Sequence, residues 1–286
     1  MSQGYDDDGV NTLEIPTDDA NGAGGAGDEA PPAERTAALT AGDLGGRLYA
    51  ATDIGRAREC NEDYYLVDED LSLVVVADGM GGHHHGEVAS RLAATGIADF
   101  LRGSEGAPAD AKEAEDLVAR AVREVNRRIY VHNMAKGYQP GRGMGTTVVG
   151  LWGCLEQNAV IFHVGDSRLY HYRQGALHSG TTDHSLYESW KASGKQGEAP
   201  KRNVLQRAVG VYEDVEAEIS WARLEAQDVT LLCSDGLTRM LNDNALHEAA
   251  GEAAARGPEA VGRALVRRAN DKGGRDNITL ALTVWG

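Results

Sequence analysis

VVVADGMGG (74–82) is the stretch on which the fold turns. Three valines and an alanine run into Asp78-Gly79, and two more glycines follow behind Met80. An apolar, β-branched run bounded by turn signals reads as a buried strand, so Asp78 is expected where a core strand stops. A carboxylate at such a place is costly unless it is paired or holds a metal, and the glycines let the backbone come close to a ligand. A capped strand end with a solvated aspartate is the competing reading of this stretch taken alone.

Upstream, RLYAATD (47–53) alternates like a strand, IGRARECNED (54–63) is polar, and YYLVD (64–68) with LSLVVVAD (71–78) reads as a hairpin. Downstream, GEVASRLAATGIADFLRG (86–103) repeats its apolar residues three and four apart and stops at Gly103. A second helix is expected from Asp110 to Lys136, with Leu117, Val118, Ala121, Val122, Val125 and Ile129 on its apolar face. Strands are expected again over 145–153, 158–165, 167–173 and 176–180, with short links that imply antiparallel pairing. The stretch 183–203 begins like a helix at Asp183, then turns polar. Strands at 215–224 and 228–235, helices at 245–257 and 258–273, and a closing strand at 277–285 complete the order. Strands, two helices, strands, two helices and a strand predict an α+β single domain, a central antiparallel β-sandwich with helices outside it.

The charge is unevenly spread over the 286 residues. Residues 1–46 hold ten acids against one base, Arg35, which accounts for nine of the sixteen net negative charges. Residues 1–44 are rich in Gly, Ala, Asp, Glu and Pro and are expected to form a disordered acidic tail, leaving 45–286 as the folded domain. With no basic stripe, a nucleic-acid surface is not expected. Neither an apolar leader nor a run of eighteen apolar residues occurs, so no signal peptide or membrane span is expected and the chain reads as cytoplasmic. Cys60, Cys154 and Cys233, odd in number and widely spaced, suit free thiols in a reducing compartment.

Asp78 does not stand alone. Glu62 and Asp63 precede a strand, Asp166 follows a Val-Gly strand end, Asp235 ends VTLLCSDG (229–236), and Asp276 precedes the last strand. Five stretches that place acids at strand ends are hard to explain as independent turns, and sheet packing can bring them to one rim. Oxygen-only clusters suit Mg²⁺ and Mn²⁺, and two such ions about 4 Å apart activate water for phosphoryl transfer. Arg58, four residues before Glu62, is placed to clamp a phosphate, with a surface ion pair to Glu59 as its alternative.

In family order, IGRARECNED (54–63), VVVADGMGGHHHGEVAS (74–90), GMGTTVVG (143–150), HVGDSRLYHYRQGAL (163–177), TTDHSL (181–186), RNVLQRAVG (202–210), LLCSDGLTRML (231–241) and GGRDNITLALTVW (273–285) resemble the bacterial branch of the type 2C (PPM) metal-dependent serine/threonine protein phosphatases. The resemblance covers roughly residues 47–286. It implies a four-layer α-β-β-α sandwich with a flap at about 183–203, a few residues shorter than the family pattern. It also implies that Asp78 bridges two tightly held Mn²⁺ or Mg²⁺ ions, with Asp235 and Asp276 completing the first site and Glu62 with the Gly79 carbonyl the second. Asp63 would orient the attacking water, Arg58 would bind the phosphate, and Asp166 with Asp235 would take a third, weaker ion. Implied partners are phosphorylated protein substrates and an opposing serine/threonine protein kinase, with the phosphatase itself a monomer.

Three departures stand out. Met80 occupies the place of a histidine that serves as general acid in animal members, so water is expected to protonate the leaving oxygen. Cys60 replaces a polar residue, which raises oxidation as an alternative to a passive substitution. His83, His84 and His85 replace a less histidine-rich run and read as an exposed helix start or, alternatively, as extra metal ligands. A phosphatase-like module without catalysis and a hydrolase of small phosphorylated metabolites are the competing functions; the presence of Arg58, Glu62, Asp63, Asp78, Asp235 and Asp276 speaks against the first.

Overall fold

The computed structural model describes residues 30–81, 85–104 and 106–286. In chain order it opens with β1 (Glu34–Ala41), β2 (Leu44–Asp53), β3 (Asp63–Asp68) and β4 (Leu73–Met80), followed by α1 (Gly86–Arg102) and α2 (Ala111–Ala135). Next come β5 (Gly145–Thr146), β6 (Val148–Leu155), β7 (Asn158–Val164), β8 (Arg168–Arg173), β9 (Ala176–Ser179) and the short α3 (Leu186–Ala192). The chain closes with β10 (Glu218–Arg223), β11 (Val229–Cys233), α4 (Asp235–Thr238), α5 (Asp243–Arg256), α6 (Pro258–Asp271) and β12 (Ile278–Trp285).

The strands form two antiparallel sheets, ordered β1-β2-β12-β11-β8-β9 and β10-β7-β6-β4-β3, with β5 attached to the end of β4. Leu39, Leu48, Val74, Val76, Leu151, Leu232, Ala281 and Trp285 fill the space between them. The outer face of the β4 sheet is covered by α1 and α2, and that of the β12 sheet by α5 and α6. Strands covered on both faces must be apolar on both, and all eight residues of β12 are buried. Small residues let the layers close: a Cβ at Gly96 of α1 would stand 2.6 Å from a Val125 methyl of α2. The helices start where capping chemistry allows, with the Asp110 carboxylate accepting the Glu113 N–H at 2.9 Å and the Asn242 side chain accepting the Ala245 N–H at 3.1 Å. No helix among the described residues is long and apolar enough to cross a membrane.

Several expectations are corrected. The boundary expected at residue 45 falls too late, because residues 34–41 form β1, which pairs with β2 from Glu34↔Ala51 to Ala41↔Leu44. Its local pattern is weak, with Leu39 its one large apolar side chain, and pairing with β2 together with the burial of Leu39 and Ala41 decides it. Residues 1–29 of the expected tail lie outside the described residues. The strand expected over 145–153 is broken at Thr147 into β5 and β6. Asp78, in turn, sits inside β4 where the strand changes partner: pairing with β6 ends at Val76↔Val149 and pairing with β5 begins at Gly79↔Thr146. Finally, the expected strand at 215–224 shortens to Glu218–Arg223, and the run before Asp235 stops at Cys233 because Asp235 opens α4.

Candidate metal centre

The change of partner in β4 exposes the backbone of Asp78, and Thr146 and Thr147 satisfy it. The Thr147 hydroxyl accepts the Asp78 N–H at 3.0 Å, while Asp78 O accepts the Thr147 N–H at 2.9 Å and the Thr146 hydroxyl at 3.0 Å. Thr147 also shares a 2.7 Å hydrogen bond with Ser167, which ties the loop carrying Asp166 to the same point. Across the sheet, register sets Asp63 directly opposite Asp78. The Asp63 carboxylate accepts the Ser234 hydroxyl at 2.8 Å, which draws in the neighbouring Asp235.

Glu62 is held from three sides. Its N–H donates to Asn277 Oδ1 at 2.9 Å, its Oε1 accepts the Gly86 N–H at 3.2 Å where α1 begins, and its carbonyl accepts the Ser90 hydroxyl at 2.6 Å. No side chain fits at Gly79, where a Cβ would overlap the carbonyl oxygens of Glu62 and Gly86. Asp276, just ahead of β12, receives two arginines: Arg58 Nη2 lies 2.9 Å from both of its oxygens, and Arg239 Nη1 lies 3.2 Å from Oδ2. The other end of the Arg239 guanidinium pairs with Asp235 Oδ2.

Burial drives the electrostatics. The Asp78 carboxyl is pushed well above the usual carboxylate range by burial and then by the charges of Asp63, Asp235, Asp166 and Asp276. Burial and Asp166 do the same to Asp235, with Arg239 opposing. Burial lifts Asp63 to about 6 against the hydrogen bonds from Thr279 and Ser234, and burial with Asp183 raises Asp166. Carboxylates crowded in this way lack positive charge. Asp235 Oδ1 is buried without a hydrogen-bond partner, and the donors around it are all oxygen. That donor set fits hard divalent cations.

The structure therefore brings Arg58, Glu62, Asp63, Asp78, Gly79, Asp166, Asp235 and Asp276 to one rim, and it adds four residues whose roles the sequence left unread: Thr147, Ser234, Arg239 and Asn277. Asn277 fastens the loop that carries Arg58 and Glu62, since its Nδ2 donates to Ile54 O at 3.0 Å and Cys60 O at 2.9 Å. A signal for Arg239 existed in its spacing of four from Asp235, which places the two on one side of a helical turn. Burial and Glu62 push the Cys60 thiol up, which disfavours the thiolate that oxidation needs. His85 precedes α1 without capping it by its side chain, and His83 and His84 lie outside the described residues.

A second group of ligand-type side chains, His163, His184 and Glu218, is also close-set. His163 Nε2 meets the Thr182 carbonyl at 2.9 Å, and His184 Nδ1 accepts the Gly165 N–H at 3.2 Å, which leaves Nε2–H facing Glu218. The two stacked rings, 4.4 Å apart, thus fasten the start of the flap to the Asp166 loop.

An oxygen-lined rim on a helix-covered double sheet is a site that could hold divalent cations for hydrolysis. A family model described as Protein phosphatase 2C matches residues 55–269, and the chain belongs to that family. The serine/threonine phosphatase stp of Listeria monocytogenes is 36% identical over 239 residues, covering 81% of this chain and 92% of the relative. Among solved structures, the S. agalactiae serine/threonine phosphatase superposes with a TM-score of 0.75 at 30% identity, covering 84% of this chain and 99% of the other. The catalytic domain of PstP, solved in complex with two manganese ions, superposes with a TM-score of 0.72 at 30% identity, covering 85% and 99%. The chain is a metal-dependent serine/threonine protein phosphatase of the bacterial type, and its substrates are phosphoproteins.

Proposed function

We propose that the rim holds two Mn²⁺ or Mg²⁺ ions between Asp78, Asp235 and Asp276 on one side and Asp78, Glu62 and the Gly79 carbonyl on the other. When bound, such ions activate a water for attack on phosphorus and neutralise charge on the phosphoryl group. The remaining work falls to side chains. Asp63, fixed by the Ser234 hydroxyl, orients the attacking water from the strand opposite Asp78. Arg58, 45% exposed at the mouth of the site and anchored on Asp276, receives the substrate phosphate through a planar, bidentate guanidinium. Met80 offers no proton at the leaving side, so solvent protonates the departing serine or threonine oxygen. A third, weaker ion at Asp166 and Asp235 belongs to the same reading.

The observation that carries this proposal is the buried, unpartnered Oδ1 of Asp235 amid carboxylates whose charge lacks compensation. The catalytically silent module is disfavoured by the same residues, since a site relieved of chemistry has no need to keep six acids together. We further propose a cytoplasmic monomer that opposes a serine/threonine protein kinase, with the acidic segment ahead of β1 as an appendage to one phosphatase domain. The deciding assay is Mn²⁺-dependent release of phosphate from a phosphothreonine peptide. Asp78→Asn, which keeps shape and removes the bridging charge, is expected to leave less than about a tenth of the turnover at saturating Mn²⁺, with an unchanged circular dichroism spectrum. EDTA should silence the wild type. Retained turnover in the variant would reject the two-ion assignment.

A further inference from the structure

We propose that Arg239 is a built-in competitor for the third cation, a guanidinium that holds the place beside Asp235 and Asp166 which an ion would otherwise take. The inference rests on the reading of the rim as a metal centre. The step of four residues from Asp235 to Arg239 makes about one helical turn, so the arginine returns over the aspartate that begins α4. Its guanidinium joins Asp235 Oδ2 to Asp276 Oδ2, the latter at 3.2 Å. The two oxygens of Asp235 are thereby divided: Oδ2 faces Arg239, and Oδ1 is buried without a partner.

Asp166 faces the same cavity, of about 410 Å³, which Asp235 and Arg239 also line. Arg168 lines that cavity too, but its Nε and Nη2 are committed to the Asp183 carboxylate in two hydrogen bonds of 2.7 Å. With all six acids of the rim ionised, Arg58 and Arg239 leave four negative charges, which two divalent ions neutralise. A third ion would then enter a site without net negative charge and would have to share Asp235 with a guanidinium. Arg239 is 41% exposed, so it can swing aside for a third ion. It weakens that binding without closing the position.

Calorimetric titration of the metal-free full chain with Mn²⁺, with elemental counting of retained ions after desalting, reads the sites without reference to activity. Wild type is expected to take two ions tightly and a third weakly, and Arg239→Gln to bind the third about tenfold more tightly, the effect of removing one nearby like charge. Adding Asp166→Asn to Arg239→Gln should abolish the gain, and Arg239→Lys, which keeps charge but cannot bridge two carboxylates, should fall between. A third-site affinity in Arg239→Gln equal to wild type overturns the proposal, as does a gain that survives Asp166→Asn. If Arg239→Gln does not fold, a third-site affinity in Arg239→Lys no tighter than wild type overturns it equally. A wild type that binds no Mn²⁺ would instead overturn the metal centre itself.

Discussion

Asp228 and Asp235 flank the single strand β11, and both are nearly closed to solvent, at 2% and 7% exposure. Asp228 has every need met: Arg173 donates from Nε at 2.8 Å and from Nη2 at 2.5 Å, and the Glu225 N–H adds a bond at 2.8 Å. Burial alone would raise its carboxyl, yet the Arg173 and backbone hydrogen bonds hold it below the ordinary value. Asp235, at the other end of the strand, is surrounded by Asp166, Asp276 and Asp63, keeps one oxygen unpartnered, and is pushed far up. Burial of a carboxylate therefore does not identify a functional site. The oxygen-by-oxygen inventory is more telling, because both oxygens of Asp228 are hydrogen-bonded whereas Asp235, even with Arg239 on Oδ2, keeps Oδ1 buried without a partner.

Replacing each aspartate by asparagine should separate the two in opposite senses. Asp235→Asn is expected to lower kcat on a phosphothreonine peptide at least about a hundredfold, roughly 3 kcal/mol of barrier, whereas Asp228→Asn should leave it within about twofold. A large loss from Asp228→Asn in steady-state assays would erase the distinction. Stability should run the other way. Asp228→Asn weakens a charge-assisted network and is expected to cost about 2 kcal/mol in urea denaturation. Asp235→Asn removes like-charge repulsion and should stabilise the metal-free protein by about 1 kcal/mol.

The pH dependence sharpens the same contrast. Asp63, at about 6, and Asp78 and Asp235, also raised, bind protons in the folded state that the unfolded chain releases near pH 3.9. Raised carboxyls make stability fall as pH rises from about 4 through the raised values, since the folded state there holds the extra protons. Asp228 acts oppositely, contributing stability above its ordinary range that is lost only in acid. Denaturant melts in EDTA should thus lose roughly 1 to 2 kcal/mol between pH 5 and 8, and saturating Mn²⁺ should flatten the slope. An unchanged slope with Mn²⁺ would mean that the ions do not engage these acids. The smallest effect is expected from residues 1–29, which carry eight acids and no base. Their removal should lower KM for phosphopeptides by about twofold at low salt, and the difference should fade above roughly 0.3 M. A salt-independent change would show that the segment acts by contact.

Much of the molecule is legible in its sequence because periodicity is local. The valine run of β4, the three-and-four spacing of α1 and α2 and the glycine-flanked acids at strand ends each lie within a short window, and together they carry the layer order and the acids of the rim. Strand β1 escapes such reading because its alternation has one large apolar member, Leu39, and its stability comes from β2. The break at Thr147 escapes as well, since nothing in GTTVV marks where β4 exchanges β6 for β5. Asn277 reads as a turn residue until the fold carries it to Cys60, 217 positions away, and Arg239 reads as a surface charge until Asp276 arrives from 37 positions on. Residue type and local spacing thus determined which groups can bind a hard cation. The tertiary structure alone decided which acids are crowded together and which carboxylate oxygen is left unpartnered, because that depends on groups brought together only when the two sheets close.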